Sequence, residues 1–169
     1  MKMKMKKMIL WIAAAILCMV TGVQTANAQN AKALADPVYK AYFGLKDALA
    51  SDNASAARSA ANALGKQITA VPMQKLGNKH AAWMDALPQL KAGTAAISGT
   101  SDLKKQRTAF KGLSQSIYKV MKALGVSYPV YYQYCDMHKA GWLSSEKAIR
   151  NPYAGKQMPT CGTVKEVLK

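Results

Sequence analysis

An apolar stripe with the period of an α-helix runs along residues 103–124, and it constrains the fold more than any other feature of the chain. At about 100° per residue, apolar side chains fall on one side of this helix and lysines fall on the other. The apolar side consists of Leu103, Phe110, Leu113, Ile117, Val120, Met121 and Leu124, and the lysines are Lys104, Lys111, Lys119 and Lys122. Gly125 follows as the predicted C-cap. A helix of this kind is stable mainly through burial of its apolar side, so we expect other helices to pack against it.

Two segments near the start of the chain show the same periodicity. The first is predicted to begin at Asp36-Pro37, with Asp36 as N-cap and Pro37 in the first turn, and to end before the polar residues 51–53. Its apolar face is Val38, Tyr42, Leu45 and Leu49. The second is predicted to end at Val71-Pro72. It is expected to bury Ala57, Ala61, Leu64 and Ile68.

A third helix is predicted over residues 78–97, with Pro88 kinking or dividing it. Ser101 is the predicted N-cap of the helix that follows. Met84 lies near the apolar side chains of this segment, and we interpret it and Met73 as core residues rather than as soft-metal ligands beside His80. Four amphipathic helices with short connections predict a mainly α fold, an antiparallel up-and-down four-helix bundle over residues 29–125.

Residues 126–169 have a different composition and are expected to form a small β/loop module packed on the bundle within one domain. Residues 129–134 are predicted to be a strand, residues 144–149 a helical turn, and residues 162–168 an extended segment that could pair with the first strand. This pairing would bring Cys135 and Cys161 to neighbouring strand ends. The expected structural residues of the module are Trp142, Arg150, Asn151, Pro152 and Tyr153. For Arg150 we expect bonds to Asp136, to Glu146 or to loop carbonyls.

The first 28 residues are typical of a secretory signal peptide. A lysine-rich start precedes an apolar run too short to span a bilayer, and small residues precede a predicted cleavage after Ala28. A lipoprotein with Cys18 as the modified residue is disfavoured because the preceding Leu17 is bulky. We therefore expect an exported, periplasmic protein without a transmembrane segment after cleavage.

Cleavage would remove four lysines and leave 20 basic and 8 acidic side chains, a formal net charge of +12. Only Arg58, Arg107 and Arg150 are arginines, and they are dispersed along the chain. Specific nucleic-acid binding favours clustered arginine, so no nucleic-acid partner is expected. A solvated lysine-rich surface, able to contact anionic envelope components, is the simpler interpretation.

Cleavage would also leave Cys135 and Cys161, separated by 25 residues, as the remaining cysteines. Two cysteines in an exported protein predict a disulfide, which would stabilise the fold by about 3 kcal/mol in the chain-entropy model. The sequence QYCDMH at residues 133–138 suggests a second interpretation, because it places a thiol, a thioether and an imidazole within four consecutive residues.

Several motifs of the module resemble those of an uncharacterised bacterial family, domain of unknown function 3347. These are VYYQYCDM at 130–137, GWLS at 141–144, IRNPY at 149–153, Met158, and CGTV at 161–164. That family includes exported proteins and C-terminal domains of periplasmic adaptor subunits of heavy-metal efflux pumps, so the resemblance implies a role near copper or related ions and an efflux system as partner. YCDMH is also similar to a Cys-Pro-Met-His signature of small heavy-metal-binding modules, with Asp136 in place of proline.

The donor types fit a soft ion, monovalent copper above all. The candidate ligands are Cys135, Met137, His138, Met158 and Cys161. Alternation along an extended segment would separate His138 from Cys135 and Met137, unless a turn begins at Asp136. A Cys135–Cys161 disulfide would remove both thiolates, and the sequence leaves the two interpretations open.

The sequence gives no support to an enzyme. It has two histidines and eight acids, and it lacks a nucleophile elbow, an HExxH motif and a glycine-rich phosphate loop. We therefore expect a non-catalytic protein that binds a soft metal or assists efflux. The alternative is a disulfide-stapled structural or interaction domain that contacts an envelope partner without metal.

Overall fold

The computed structural model describes residues 31–169, so the predicted signal peptide lies outside the described residues. Four helices come first, and a short 3₁₀ segment, Met73–Lys79, precedes the third of them. The helices are α1 (31–50), α2 (Ala54–Ala70), α3 (His80–Ser98) and α4 (Leu103–Leu124). The fold is mainly helical with a small C-terminal sheet, as predicted.

Contacts between α1 and α4 show that these helices run in opposite directions. Tyr42 of α1 bonds to Ser114, whereas Leu49, two turns further along α1, bonds through its carbonyl oxygen to Arg107, which lies earlier in α4. In the same way, α2 and α3 are antiparallel, because the Arg58 side chain at the start of α2 bonds to the carbonyl oxygen of Ser98 at the end of α3. Gln106, near the start of α4, donates to the Ala54 carbonyl at the start of α2, so α2 and α4 are parallel and the four helices alternate as an up-and-down bundle.

The predicted apolar faces form the core. The four residues predicted for α2 are its buried residues, and the stripe of α4 is buried apart from half-buried Leu103. Gly125 ends α4 with a φ of 87°, in the left-handed region that favours glycine at a C-cap. Pro88 neither divides nor ends the helix, because α3 is continuous from His80 to Ser98.

Two predicted helix starts are wrong. Residues 31–35 are already helical upstream of Asp36-Pro37, and buried Ala31 and Ala35 extend the apolar face of α1 backward. Burial of that face outweighs the one backbone hydrogen bond that proline cannot donate. Asp102 rather than Ser101 caps α4, and its carboxylate accepts from the backbone N–H of Lys104 and of Lys105.

Met84 is not a core residue, because 40% of its surface is exposed. Its neighbour Trp83 is fully buried, and a step of one residue turns the helix by about 100°, which carries Met84 out of the core. Met73 is partly buried against the core, and His80 is exposed.

Three antiparallel strands form the C-terminal sheet in the order β2-β1-β3. They are β1 (Val130–Cys135), β2 (Ala140–Ser144) and β3 (Thr163–Leu168). The predicted pairing of the first and last strands is confirmed, whereas β2 was not predicted. The predicted helical turn over 144–149 is wrong. Carbonyl groups of residues 146–148 all accept from the buried Gln133 amide, so this segment bends around that side chain instead of closing helical bonds.

The sheet packs on the bundle through β2. Leu143 donates its backbone N–H to the Tyr42 hydroxyl, and the Gly141 carbonyl accepts from Ser114 of α4. Trp142, between them, is fully buried. Within residues 31–169, no helix combines the length and the apolar character needed to cross a membrane.

Candidate functional site

The end of β1 and the start of β3 bring the two cysteines together. The Sγ atoms of Cys135 and Cys161 lie 2.7 Å apart, and both thiols are free. Cys135, the last residue of β1, is fully buried, whereas Cys161, two residues before β3, is partly exposed. The predicted meeting of the two sulfur atoms is confirmed, at a separation that is longer than a disulfide bond and short enough for oxidation to one.

The surroundings of Cys135 favour its thiolate. Burial raises the pKa of this thiol, but hydrogen bonds from Cys161, from the backbone N–H groups of His138 and Met137, and from Asn151 outweigh burial and lower the pKa overall. The same hydrogen bond raises the pKa of the Cys161 thiol, and burial and the Cys135 charge act in the same direction. Cys135 is therefore the thiol of the pair that ionises more readily.

Asn151 holds the loop that carries Cys161. It is fully buried, and its Nδ2 donates to the Cys161 carbonyl at 2.7 Å. Its Oδ1 accepts from the backbone N–H groups of Tyr153 and Ala154, and its own N–H donates to the Pro159 carbonyl. One side chain thus joins the segment before the 3₁₀ turn at Gly155–Gln157 to the segment after it. Asn151 was predicted only as a structural residue, and its contact with both cysteines required the tertiary fold.

The two methionines that lie close to the cysteines in the chain are exposed. Met137 follows β1 by two residues and is 69% exposed, and Met158 is 36% exposed. The backbone N–H of Cys161 donates to the Met158 carbonyl, so the MxxC segment is a tight turn. Such exposed, unbranched side chains can change rotamer at little cost in packing.

His138 belongs to a different surface. A turn does begin after Cys135, closed by the Lys139 N–H and the Asp136 carbonyl, so strand alternation does not govern the position of the ring. The imidazole lies 6.2 Å from the Tyr153 ring, between centroids, and lines a cavity beside α4. Burial, followed by the charges of Lys111 and Arg107, lowers the pKa of His138. The structure therefore places the His138 ring beside Tyr153 and α4, while the His138 backbone N–H bonds to Cys135.

Among the described residues, no group of three or more histidine, cysteine, aspartate or glutamate side chains is assembled as a metal site. A metal at this end of the sheet would therefore depend on sulfur. The donor set that fits is the dithiol of Cys135 and Cys161 with thioethers from Met137 and Met158, all soft ligands suited to monovalent copper.

The other module residues have structural contacts. Trp142, Pro152 and Tyr153 are buried, and the Tyr153 hydroxyl donates to the Gly141 carbonyl at 2.8 Å. Arg150 does not bond to Asp136 or Glu146, because its guanidinium lies 3.2 Å from Asp47 of α1. Asp47 is distant in sequence, and only the packing of the module on the bundle creates this pair.

Arg107 was missed as a functional or structural residue, and it connects the bundle to the module. Its Nε donates to the Pro152 carbonyl at 2.8 Å, and its Nη2 donates to the Leu49 carbonyl and to the Asp52 carboxylate. Asp52 also accepts from the backbone N–H of Lys156. Arg107 is the only arginine on an otherwise lysine-rich helix, which is the one sequence feature that distinguishes it.

Comparison with protein families supports the resemblance. A family model described as protein of unknown function, DUF3347, matches residues 38–128. The chain belongs to the DUF3347 family. The match covers the bundle from Val38 of α1 through α4 to Tyr128. It ends before the motifs at 130–164 that suggested the DUF3347 resemblance, so membership rests on the helices and not on the cysteine-bearing module.

No curated protein and no solved structure matches the chain.

Proposed function

We propose that this DUF3347 protein is an exported, non-catalytic binder of monovalent copper or a similar soft ion, and that it serves as a scavenger or as an accessory to a heavy-metal efflux system. The observation that carries the proposal is the pair of free thiols 2.7 Å apart, each with a methionine two or three residues away in the chain.

The arrangement suits a soft ion for two reasons. Metals bind thiolates rather than thiols, and the lowered pKa of Cys135 makes its thiolate accessible near neutral pH at a smaller cost than for an ordinary cysteine. Met137 and Met158 would then add thioether ligands from the solvent side, where both are exposed. His138 is left out of this ligand set because its ring packs beside Tyr153.

Export and the efflux partner rest on separate support. Residues 1–28 have the three-part pattern of a secretory signal, which favours an extracytoplasmic compartment. The efflux association comes from the resemblance of the module motifs to domains of efflux adaptors.

A second function is favoured by the same distance. A disulfide bond is about 2.05 Å long, so a small movement of either sulfur atom from the observed 2.7 Å separation would allow the pair to be oxidised. The bridge would staple the start of β3 to the end of β1 and leave a structural or interaction domain without a thiolate site. An oxidising compartment favours this state.

Titration with monovalent copper separates the two functions. The full chain is purified without reductant, and intact mass spectrometry determines whether the cysteines carry their two hydrogens. Reduced protein is then titrated against a chromophoric chelator of monovalent copper. We expect one ion per chain. Met137→Leu combined with Met158→Leu should weaken binding by about tenfold or more, and Cys135→Ser should abolish it.

Met84→Leu is the matched control, because Met84 is also an exposed methionine but lies on α3. It should leave the affinity unchanged. A protein that stays oxidised under mild reductant, or that binds no copper when reduced, would overturn the metal function and favour the staple. Equal losses in the Met84 variant and in the double methionine variant would show that binding is nonspecific.

A further inference from the structure

A basic cavity of about 510 Å³ lies between α4 and the C-terminal module, apart from the dithiol. Five residues of α4 line it, and the module contributes His138 and Tyr153. The α4 residues that matter are Lys104, Arg107, Thr108 and Lys111. No acidic side chain among the described residues lines it; Asp52 pairs with Arg107, whereas Lys104 and Lys111 form no ion pair within residues 31–169.

The hydrogen bonds of Arg107 leave part of its guanidinium free for a ligand. Its Nε–H and both hydrogens of Nη2 are used by Pro152, Leu49 and Asp52, which fix the plane of the group. The two hydrogens on Nη1 have no partner within residues 31–169. A guanidinium held rigidly with free donors is well suited to an oxyanion, because little side-chain entropy is lost on binding.

The neighbouring polar groups also have spare capacity. Lys111 uses one of its three hydrogens on the His138 carbonyl, at 2.9 Å, and its ammonium lies 5.9 Å from the centre of the Tyr153 ring. The Thr108 hydroxyl donates to the Lys104 carbonyl and can still accept or share a proton with a ligand. Lys104 and Lys111 lie about two turns apart on the side of α4 that faces the cavity.

The module wall contains a buried polar atom without a partner. The His138 Nε2 is enclosed and makes no hydrogen bond in the described part of the chain. The Tyr153 hydroxyl is committed to Gly141, so Tyr153 offers its ring rather than its oxygen.

We propose that this cavity binds a phosphate-type oxyanion, either inorganic phosphate or the phosphate group of a small organic phosphoester. Charged donors on three side chains suit a tetrahedral, multiply charged group more than a single carboxylate. The volume lies within the range of roughly 300–1,000 Å³ typical of small-molecule sites, so it also accommodates an organic portion beside the Tyr153 ring. This site does not depend on the proposed metal site.

The test is titration of the full chain at constant ionic strength with three probes: inorganic phosphate, phenyl phosphate and acetate. Binding is followed by calorimetry and by NMR. Lys104→Ala should weaken phosphate binding by about fivefold, and Lys104→Ala with Lys111→Ala by more than about tenfold. Lys105→Ala is the matched control, since Lys105 is the exposed neighbour of Lys104 and does not line the cavity. It should change the affinity by less than about twofold.

Each outcome decides the proposal. Saturable binding of one phosphate per chain with the expected order of variants supports it. Tighter binding of phenyl phosphate then identifies an organic phosphoester as the source, and equal binding identifies inorganic phosphate. Absence of saturable binding overturns it. Equal losses of phosphate affinity in the Lys104 and Lys105 variants would also overturn it, because they would indicate only the general positive charge of the surface. Acetate binding as tight as phosphate binding would overturn it as well.

Discussion

The Tyr42 hydroxyl connects three elements, and the substitution Tyr42→Phe tests how much that connection contributes. The backbone N–H of Leu143 in β2 donates to this hydroxyl at 3.1 Å, and the hydroxyl lies 2.8 Å from the Ser114 oxygen in α4. Because Ser114 in turn donates to the Gly141 carbonyl, the Tyr42 hydroxyl is the donor toward Ser114. Tyr42 and Leu143 are both fully buried.

The expected loss follows from the group that remains behind. Phenylalanine fills almost the same volume, so no cavity forms, and Ser114 keeps its bond to Gly141. Leu143 is left with a buried N–H that has lost its acceptor, which costs about 1–3 kcal/mol. We expect the free energy of unfolding to fall by about 2 kcal/mol. For a urea dependence of about 2 kcal/mol per molar, the midpoint should fall by about 1 M.

Equilibrium urea denaturation in the presence of reductant measures this change with the cysteines held in one state. Tyr128→Phe is the matched control, because the Tyr128 hydroxyl is enclosed and has no hydrogen-bond partner in the described chain. Its removal should leave the free energy of unfolding unchanged within about 0.5 kcal/mol, or raise it. A loss below about 0.5 kcal/mol for Tyr42→Phe, or losses of equal size in both variants, would refute this account of how the sheet is held on the bundle.

Two further predictions concern the contacts around the module. Gly155→Ala should lower the free energy of unfolding by about 2 kcal/mol or more, because φ is 59° and a Cβ would overlap Asp52 and Arg107. By contrast, Gly44→Ala should be stabilising, because Gly44 lies at an exposed helical site where an added Cβ would have no atom within 4 Å. Equal shifts of the melting temperature in the two variants would contradict this reasoning. Glu166→Gln should destabilise the protein at neutral pH, because hydrogen bonds from Lys122, then from Tyr118, lower the pKa of Glu166 below its ordinary value of 4.5. The stabilisation by the Glu166 carboxylate is present above pH 4.5 and is lost as the pH falls through the lowered pKa of the folded protein. The urea midpoints of wild type and variant should therefore converge in acid. A difference between the two midpoints that stays constant with pH would contradict this explanation.

Much of the bundle is determined by local periodicity. The faces of α2 and α4 follow from sequence spacing alone, because neighbours three and four positions apart share one side of any helix. The predicted start of α1 is too late for a related reason. Asp36-Pro37 is a local signal for a helix start, whereas the burial of Ala31 depends on packing against the rest of the protein.

The module is determined mainly by distant contacts. Strand β2 contains glycine and alanine and has no strong β pattern in its sequence. It is a strand because it pairs with β1 on one side, while on the other side the Leu143 N–H donates to the Tyr42 hydroxyl. The segment after Ser144 bends because its carbonyl groups at residues 146 and 148 accept hydrogen bonds from the Gln133 side-chain amide. The spacing of residues within β2 or within the segment after Ser144 does not reveal that Tyr42 or Gln133 is its hydrogen-bond partner.

The stretch 133–138 shows the same division. The sequence by itself determined which donor atoms are present and that β1 and β3 would bring Cys135 close to Cys161, since strand pairing fixes which ends meet. Only the tertiary structure decided that the His138 ring lies beside Tyr153, and that Arg107 joins the bundle to the module. Sequence patterns encode periodic burial within one element, whereas the direction of a side chain after a turn depends on which surfaces pack against it.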